Sequence, residues 1–153
     1  MNISEKLDSL KIEIPEAPLP VGAYVAFKKI GNLVFISGQL PIDKDGTIIK
    51  GKVGSNLNLE EAQKAAHLCC INIIAQLKSA CNGNLDKVRN CVKITGFVNS
   101  VDDFKDQPKV INPASELISK IFEDCGKHTR AAVSTNSLPL GAAVEIDAIF
   151  EIN

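Results

Sequence analysis

The segment Arg130–Ile152, RAAVSTNSLPLGAAVEIDAIFEI, decides how the chain is read. Ala131 and Val133 alternate at its start, and Val144, Ile146, Ala148 and Phe150 alternate at its end, with the period of two expected of half-buried strands. Between them, Asn136-Ser137-Leu138-Pro139-Leu140-Gly141 can reverse the chain. On its own the segment reads as a two-stranded hairpin. Placing both apolar sets on one face sets Ala131 opposite Val144 and Val133 opposite Ala142. Arg130 then falls opposite Glu145 on the second face, with Ala132, Ala143 and Asp147 nearby. The parity of this pairing is better determined than its register, because a slip of one residue would turn the whole apolar set out of the core.

Working outward, Val88–Val98 alternates as a further strand, with Val88, Asn90, Val92, Ile94, Gly96 and Val98 on one side. Asn112-Pro113 reads as an N-cap followed by proline in the first helical position, opening a helix whose stripe is Ala114, Leu117, Ile118, Ile121, Phe122 and Cys125. Asn58 and Glu61 form a capping box for a longer helix reaching about Ala80, with Ala62, Ala65, Ala66, Cys69, Ile73 and Leu77 on its buried side and Gly83 as its stop. YVAFKKI and LVFIS flank Gly31-Asn32, a dipeptide suited to a tight hairpin. Asp45-Gly46 precedes a short strand, Thr47–Ile49. Ser4 can cap a short helix through Leu10, and KIEIPEAPLP follows as an extended connector. This divides the chain into an N-terminal arm, residues 1–21, and one domain, residues 22–153. The expected class is α+β: a mixed six-stranded sheet with two helices on one face and an open second face suited to oligomerisation.

Composition sets the outer bounds. A chain of 153 residues, 45% hydrophobic and 23% charged, fits one domain with a real core. Its net charge of −1 supplies no overall field for nucleic acid or an anionic membrane. The start, MNISEKLDSL, lacks the pattern of a signal peptide, so a cytoplasmic location is expected. The five cysteines, Cys69, Cys70, Cys81, Cys91 and Cys125, contain no CxxC pair and are expected to pack as reduced, small hydrophobes. With only His67 and His128 as histidines, a zinc site is poorly supported. His67 reads as a surface or rim residue, and His128 as a solvated loop position.

NLVFISGQLP (Asn32–Pro41), the helix that follows, and R-x-x-V-x-x-x-x-L-P-x-G-x-x-V-E-I-x-A-I (Arg130–Ile149) together resemble the RidA/YjgF family of enamine/imine deaminases. The resemblance runs from about Gly22 to Ile152, and the arm and the loop before Asn112 look like those of a longer subgroup. It implies a chorismate-mutase-like subunit and a homotrimer whose strands form a central barrel with clefts between subunits. The implied reaction is hydrolysis of 2-enamine or 2-imine acids, released by pyridoxal-phosphate enzymes, to 2-keto acids and ammonia. No cofactor or metal is implied.

Carried onto this chain, the resemblance assigns Arg130 to the substrate carboxylate, which a planar guanidinium matches bidentately. Glu145 would orient the attacking water and move a proton. Gly38 would form the cleft wall, Tyr24 would line or close the pocket, and Asn112 matches a pocket-side position while also serving as a helix cap. Ala132 stands where many deaminase members carry cysteine, which implies a wider or reshaped pocket.

Two other functional classes stay open at this stage. A non-catalytic trimeric module could bind small carboxylates through Arg130 as a sensor or regulator. An endoribonuclease or translation-inhibitor role ranks below both, because the chain has one Tyr, no Trp and no basic cluster interleaved with aromatics.

Overall fold

Gly31-Asn32 joins β1 (Phe27–Ile30) to β2 (Leu33–Gln39) as a two-residue hairpin loop, with Ile30 opposite Leu33. In the computed structural model, which describes residues 1–153, these strands begin a sheet completed by β3 (Val88–Asn99), β4 (Thr129–Thr135) and β5 (Val144–Ile152). The order across the sheet is β1-β2-β5-β3-β4. It is mixed: β3 runs parallel to β4 and antiparallel to β5.

This order corrects the expected hairpin. β4 and β5 are consecutive in the chain, yet β3 lies between them. Alternation shows that a strand has a buried face; it does not name the strand's neighbour. β3 buries Ile94, Gly96 and Val98 and bonds on both edges, while the helical crossover from β3 delivers β4 in parallel. The expected sixth strand, Thr47–Ile49, is also absent as a strand. Only the isolated bridges Ile42↔Ile48 and Lys50↔Ala142 form there, and Gly51 turns the backbone to φ 136°.

Two long helices cover one face. α2 (Leu59–Ala80) follows the expected boundaries, with Asn58 Oδ1 accepting from Glu61 N at 2.9 Å and Glu61 Oε1 accepting from Asn58 N at 3.3 Å. Its whole expected stripe is buried. α3 (Gln107–Phe122) starts five residues before the expected cap. Pro108, rather than Pro113, occupies its first turn, where a missing N–H costs nothing. Pro113 therefore lies inside the helix and cannot donate to Lys109 O. Gln63 Nε2 of α2 takes over that carbonyl at 2.9 Å.

Strand β3 reaches these helices through its alternation, but only beyond two irregularities, at Val88/Asn90 and Cys91/Lys93. They turn Cys91 inward and leave Val92 exposed, contrary to unbroken alternation. Four of the cysteines are buried, Cys125 is half-buried and all five are free thiols. Burial pushes the Cys91 thiol up to about 12.

The N-terminal helix α1 (Ile3–Ser9) is capped by Asn2 instead of Ser4, because Asn2 and Glu5 exchange the two bonds of a capping box. Leu7 is buried in the main core, Ile3 N donates to Asp86 Oδ1 at 2.8 Å, and Lys6 pairs with Glu123.

The sheet and helix layers approach closely at Gly96. A Cβ built there would lie 2.5 Å from Ile111 Cδ1, and Ile111 is fully buried. Gly96→Ala therefore forces α3 away from β3, with an expected loss of about 1–3 kcal/mol, the usual range for overpacking. Urea denaturation checks it as a lowered midpoint with an unchanged slope.

Candidate active site

The strand pairings fix which face each functional side chain occupies. Arg130 lies level with Ile94, and Ile94 with Ala148, so Arg130 shares the helix-covered face. Glu145 lies level with Phe97, and Phe97 with Val133, so Glu145 faces the open side. The expected cross-strand pair is thereby corrected: the two residues are two strands apart, three residues out of level and on opposite faces. At about 4.8 Å per strand and 3.3 Å per residue, their Cα atoms are about 14 Å apart. The error came from joining Ala131 and Val133 to the core set, whereas Val133 is exposed on the open face.

Glu145 lines a cleft of about 490 Å³. Opposite Ala148 and Ile146, β2 carries one residue too many between Ile36 and Gln39. This bulge keeps Ile36 and Gln39 buried toward the helices and leaves Ser37-Gly38 for the open face. Gly38 then lies directly against the glutamate: a Cβ there would be 2.6 Å from Glu145 Oε2 and 2.8 Å from its Cδ. Tyr24, Pro139 and the arm residues Pro18, Leu19 and Val21 form other walls of the cleft. The arm's part in this wall had no sequence signal beyond its apolar residues.

Burial, followed by repulsion from Asp147 on the same side of β5, raises the Glu145 carboxyl above the ordinary glutamate range. Asp147 is raised as well, by burial, against the opposing pull of its bond to Thr95 and of nearby Lys93. A carboxyl so placed holds a proton more readily than one in water and is suited to exchange it with a reactant.

Arg130 occupies a second cluster. Its Nη1 donates to Asn112 Oδ1 at 2.8 Å and to Ser115 Oγ at 3.2 Å. Asn112 is thus in mid-helix, released from the capping role expected of it, and meets the arginine. Ala132, on the same face of β4, packs against the core. Ser115 escaped the sequence reading, although its spacing of three from Asn112 sets both on one helix face. His128, expected in a solvated loop, is half-buried with Nε2 2.9 Å from Ser115 Oγ. Nowhere do three or more His, Cys, Asp or Glu side chains converge as metal ligands would.

The raised Glu145 carboxyl makes stability depend on pH with a definite sign. The folded chain binds this proton more tightly than the unfolded chain, so stability falls as pH rises from the ordinary glutamate range through the raised value. Glu145→Gln removes that loss. The expected gain at pH 7–8 is at most about 1 kcal/mol, since water still screens a half-exposed charge. Thermal melts at pH 4 and pH 8 check this: the variant's advantage should be confined to the higher pH.

Comparison with known proteins agrees with this architecture. Residues 4–151 match the YjgF/chorismate-mutase-like endoribonuclease family. The chain is 40% identical over 152 residues to Protein TCP17 of Trypanosoma cruzi, covering 99% of this chain and 94% of that one. The crystal structure of Atu1372 from Agrobacterium tumefaciens, a protein of unknown function, superposes with a TM-score of 0.88 at 47% identity, covering 99% of this chain and 93% of that one. A further relative is the 2-iminobutanoate/2-iminopropanoate deaminase of Dermatophagoides farinae, 28% identical and covering 92% of this chain and 94% of that one. With the match spanning nearly the whole sequence, the chain belongs to the YjgF/chorismate-mutase-like endoribonuclease family.

Proposed function

We propose that this protein is a hydrolytic deaminase of 2-enamine and 2-imine acids, working as a homotrimer in which Arg130 of one copy and Glu145 of a neighbour serve the same cleft. The observation that carries this reading is the half-desolvated Glu145 carboxyl, set against Gly38 in the wall of an open cleft. The likeness to a protein named as a 2-iminobutanoate/2-iminopropanoate deaminase supports the substrate class. Separation of Arg130 from Glu145 on opposite sheet faces supports a site shared between copies. So does the open face, where Ile30, Leu33, Phe35 and Val133 are exposed.

In this scheme the arginine fork binds the C1 carboxylate of the protonated imine and turns its C2 toward the glutamate. Ionised Glu145 takes a proton from water as the water oxygen bonds to C2, and the C=N π electrons move onto nitrogen. The resulting carbinolamine receives the Glu145 proton on its amine and expels ammonia as the hydroxyl oxygen re-forms a carbonyl. The hydroxyl proton passes to solvent, leaving a 2-keto acid. An enamine enters the same path by tautomerising to the imine.

The test generates 2-iminobutanoate in situ with a lyase and traps it with semicarbazide. Wild-type protein should suppress the semicarbazone by hydrolysing the imine first, and Arg130→Ala and Glu145→Gln should each be slower by on the order of 10²-fold or more. Co-assembling the two variants in equal amounts should restore roughly a quarter of wild-type activity, because one site in four then draws Arg130 and Glu145 from copies that retain them. No acceleration by assembled wild type would sink the deaminase reading, and no recovery in the mixture would sink the shared site.

A further inference from the structure

With the His128 ring neutral, the bonds around Arg130 form a chain in which each hydrogen has a determined place. His128 Nδ1 is 2.6 Å from Gly126 O. A carbonyl oxygen only accepts, so Nδ1 carries the hydrogen. In the neutral ring Nε2 is then an acceptor, and its partner at 2.9 Å is the Ser115 hydroxyl. Ser115 therefore donates its only hydrogen to His128, leaving its lone pairs to accept from Arg130 Nη1 at 3.2 Å. The second Nη1 hydrogen goes to Asn112 Oδ1 at 2.8 Å. Both hydrogens of Nη1 are used, while Nε and Nη2 have no partner within the chain.

From this we propose that Ser115 and His128 are positioning residues for Arg130, which lock its Nη1 so that the Nε/Nη2 edge is presented to the carboxylate of the substrate. The inference rests on the proposed role of Arg130 in carboxylate binding. It adds which edge of the guanidinium binds and what aims it. A guanidinium recognises a carboxylate through two parallel N–H bonds, and the Nε/Nη2 edge supplies such a pair. Arginine carries several rotatable bonds on an edge strand, so an unaided side chain would lose rotamer freedom on binding. Ser115 and Asn112 on α3 meet that cost during folding. His128 in turn fixes the Ser115 hydroxyl, because a serine free to rotate could direct its hydrogen at the guanidinium and repel it. The orientation thus originates at Gly126, whose close approach to α3 has no room for a side chain: a Cβ there would be 2.6 Å from Ile118 O.

The test is binding of 2-oxobutanoate, a product-like carboxylate, to the assembled protein, followed by titration of the arginine Nε–H signals in ¹⁵N NMR, alongside KM and kcat for 2-iminobutanoate. Wild type should show one Nε–H signal that shifts on binding and disappears in Arg130→Ala, and its His128 ring should have the Nδ1–H tautomer. Ser115→Ala should weaken binding and raise KM about 5- to 20-fold with kcat within about twofold, a loss matching one charge-assisted bond of 1–2 kcal/mol. Ser115→Thr, which keeps the hydroxyl, should restore both. His128→Gln should bind between wild type and Ser115→Ala. If Arg130→Ala abolishes binding while Ser115→Ala and His128→Gln stay within twofold of wild type, the positioning role is overturned and the proposed function stands. If wild type fails to bind, or binds equally well without Arg130, the carboxylate role falls and this inference with it.

Discussion

The fold depends on β3 having neighbours of opposite direction on its two edges. A strand that is antiparallel to β5 on one side and parallel to β4 on the other requires a crossover on leaving the sheet, and α3 is that crossover. The absent side chain of Gly96 allows α3 to lie close against the strand. The same path carries Asn112 and Ser115 over the edge strand where Arg130 emerges. Had β4 paired directly with β5, Arg130 would have met Glu145 instead of a helix.

The parts legible in the sequence were those governed by local chemistry. Asn58 with Glu61 stated where α2 begins, and Gly31-Asn32 stated where β1 turns into β2, because caps and tight turns depend only on residues a few positions apart. The Arg130–Glu145 geometry was not legible. Ala131 and Val133 alternate as correctly for the open face as for the core, and nothing within the segment records that β3 enters between its two halves. Asn112-Pro113 misled for a similar reason: α3 begins at Gln107 without a side-chain cap, and the bond that Pro113 removes is replaced by Gln63, a residue of another helix. Gly38 and Glu145 were each legible as candidates, whereas their direct contact was not, because it depends on the extra residue in β2 that turns Gly38 toward β5.

The arm joins the cleft by a different kind of constraint. Pro15, Pro18 and Pro20 restrict their own φ angles and remove backbone donors, so this stretch, which joins no strand, is held through a carbonyl. Gln76 of α2, itself buried, donates to Pro18 O at 2.7 Å, and one turn earlier Asn72 donates to Leu40 O and Ile42 O, both at 2.9 Å. Two carboxamides on one face of α2 thereby fix two walls of the cleft from behind. Leu7 anchors the far end of the arm in the main core. Removing the arm would therefore open the cleft and also expose core surface.

Placing Arg130 and Glu145 on opposite faces has a chemical consequence for the proposed reaction. Side by side in one chain they would pair with each other: the guanidinium would hold the carboxyl low and the carboxylate would fill the arginine fork. A low, ion-paired carboxylate is a poor proton carrier, and an occupied fork has to be vacated before substrate can bind. Kept apart, Glu145 has burial and Asp147 raising it, and Arg130 has only neutral oxygens on its Nη1. Asn112 and Ser115 hold the guanidinium without neutralising it, so its full charge remains for an incoming carboxylate. In the proposed reaction, a substrate bearing a carboxylate at one end and an electrophilic carbon beside it would then bridge two groups that no single chain brings together.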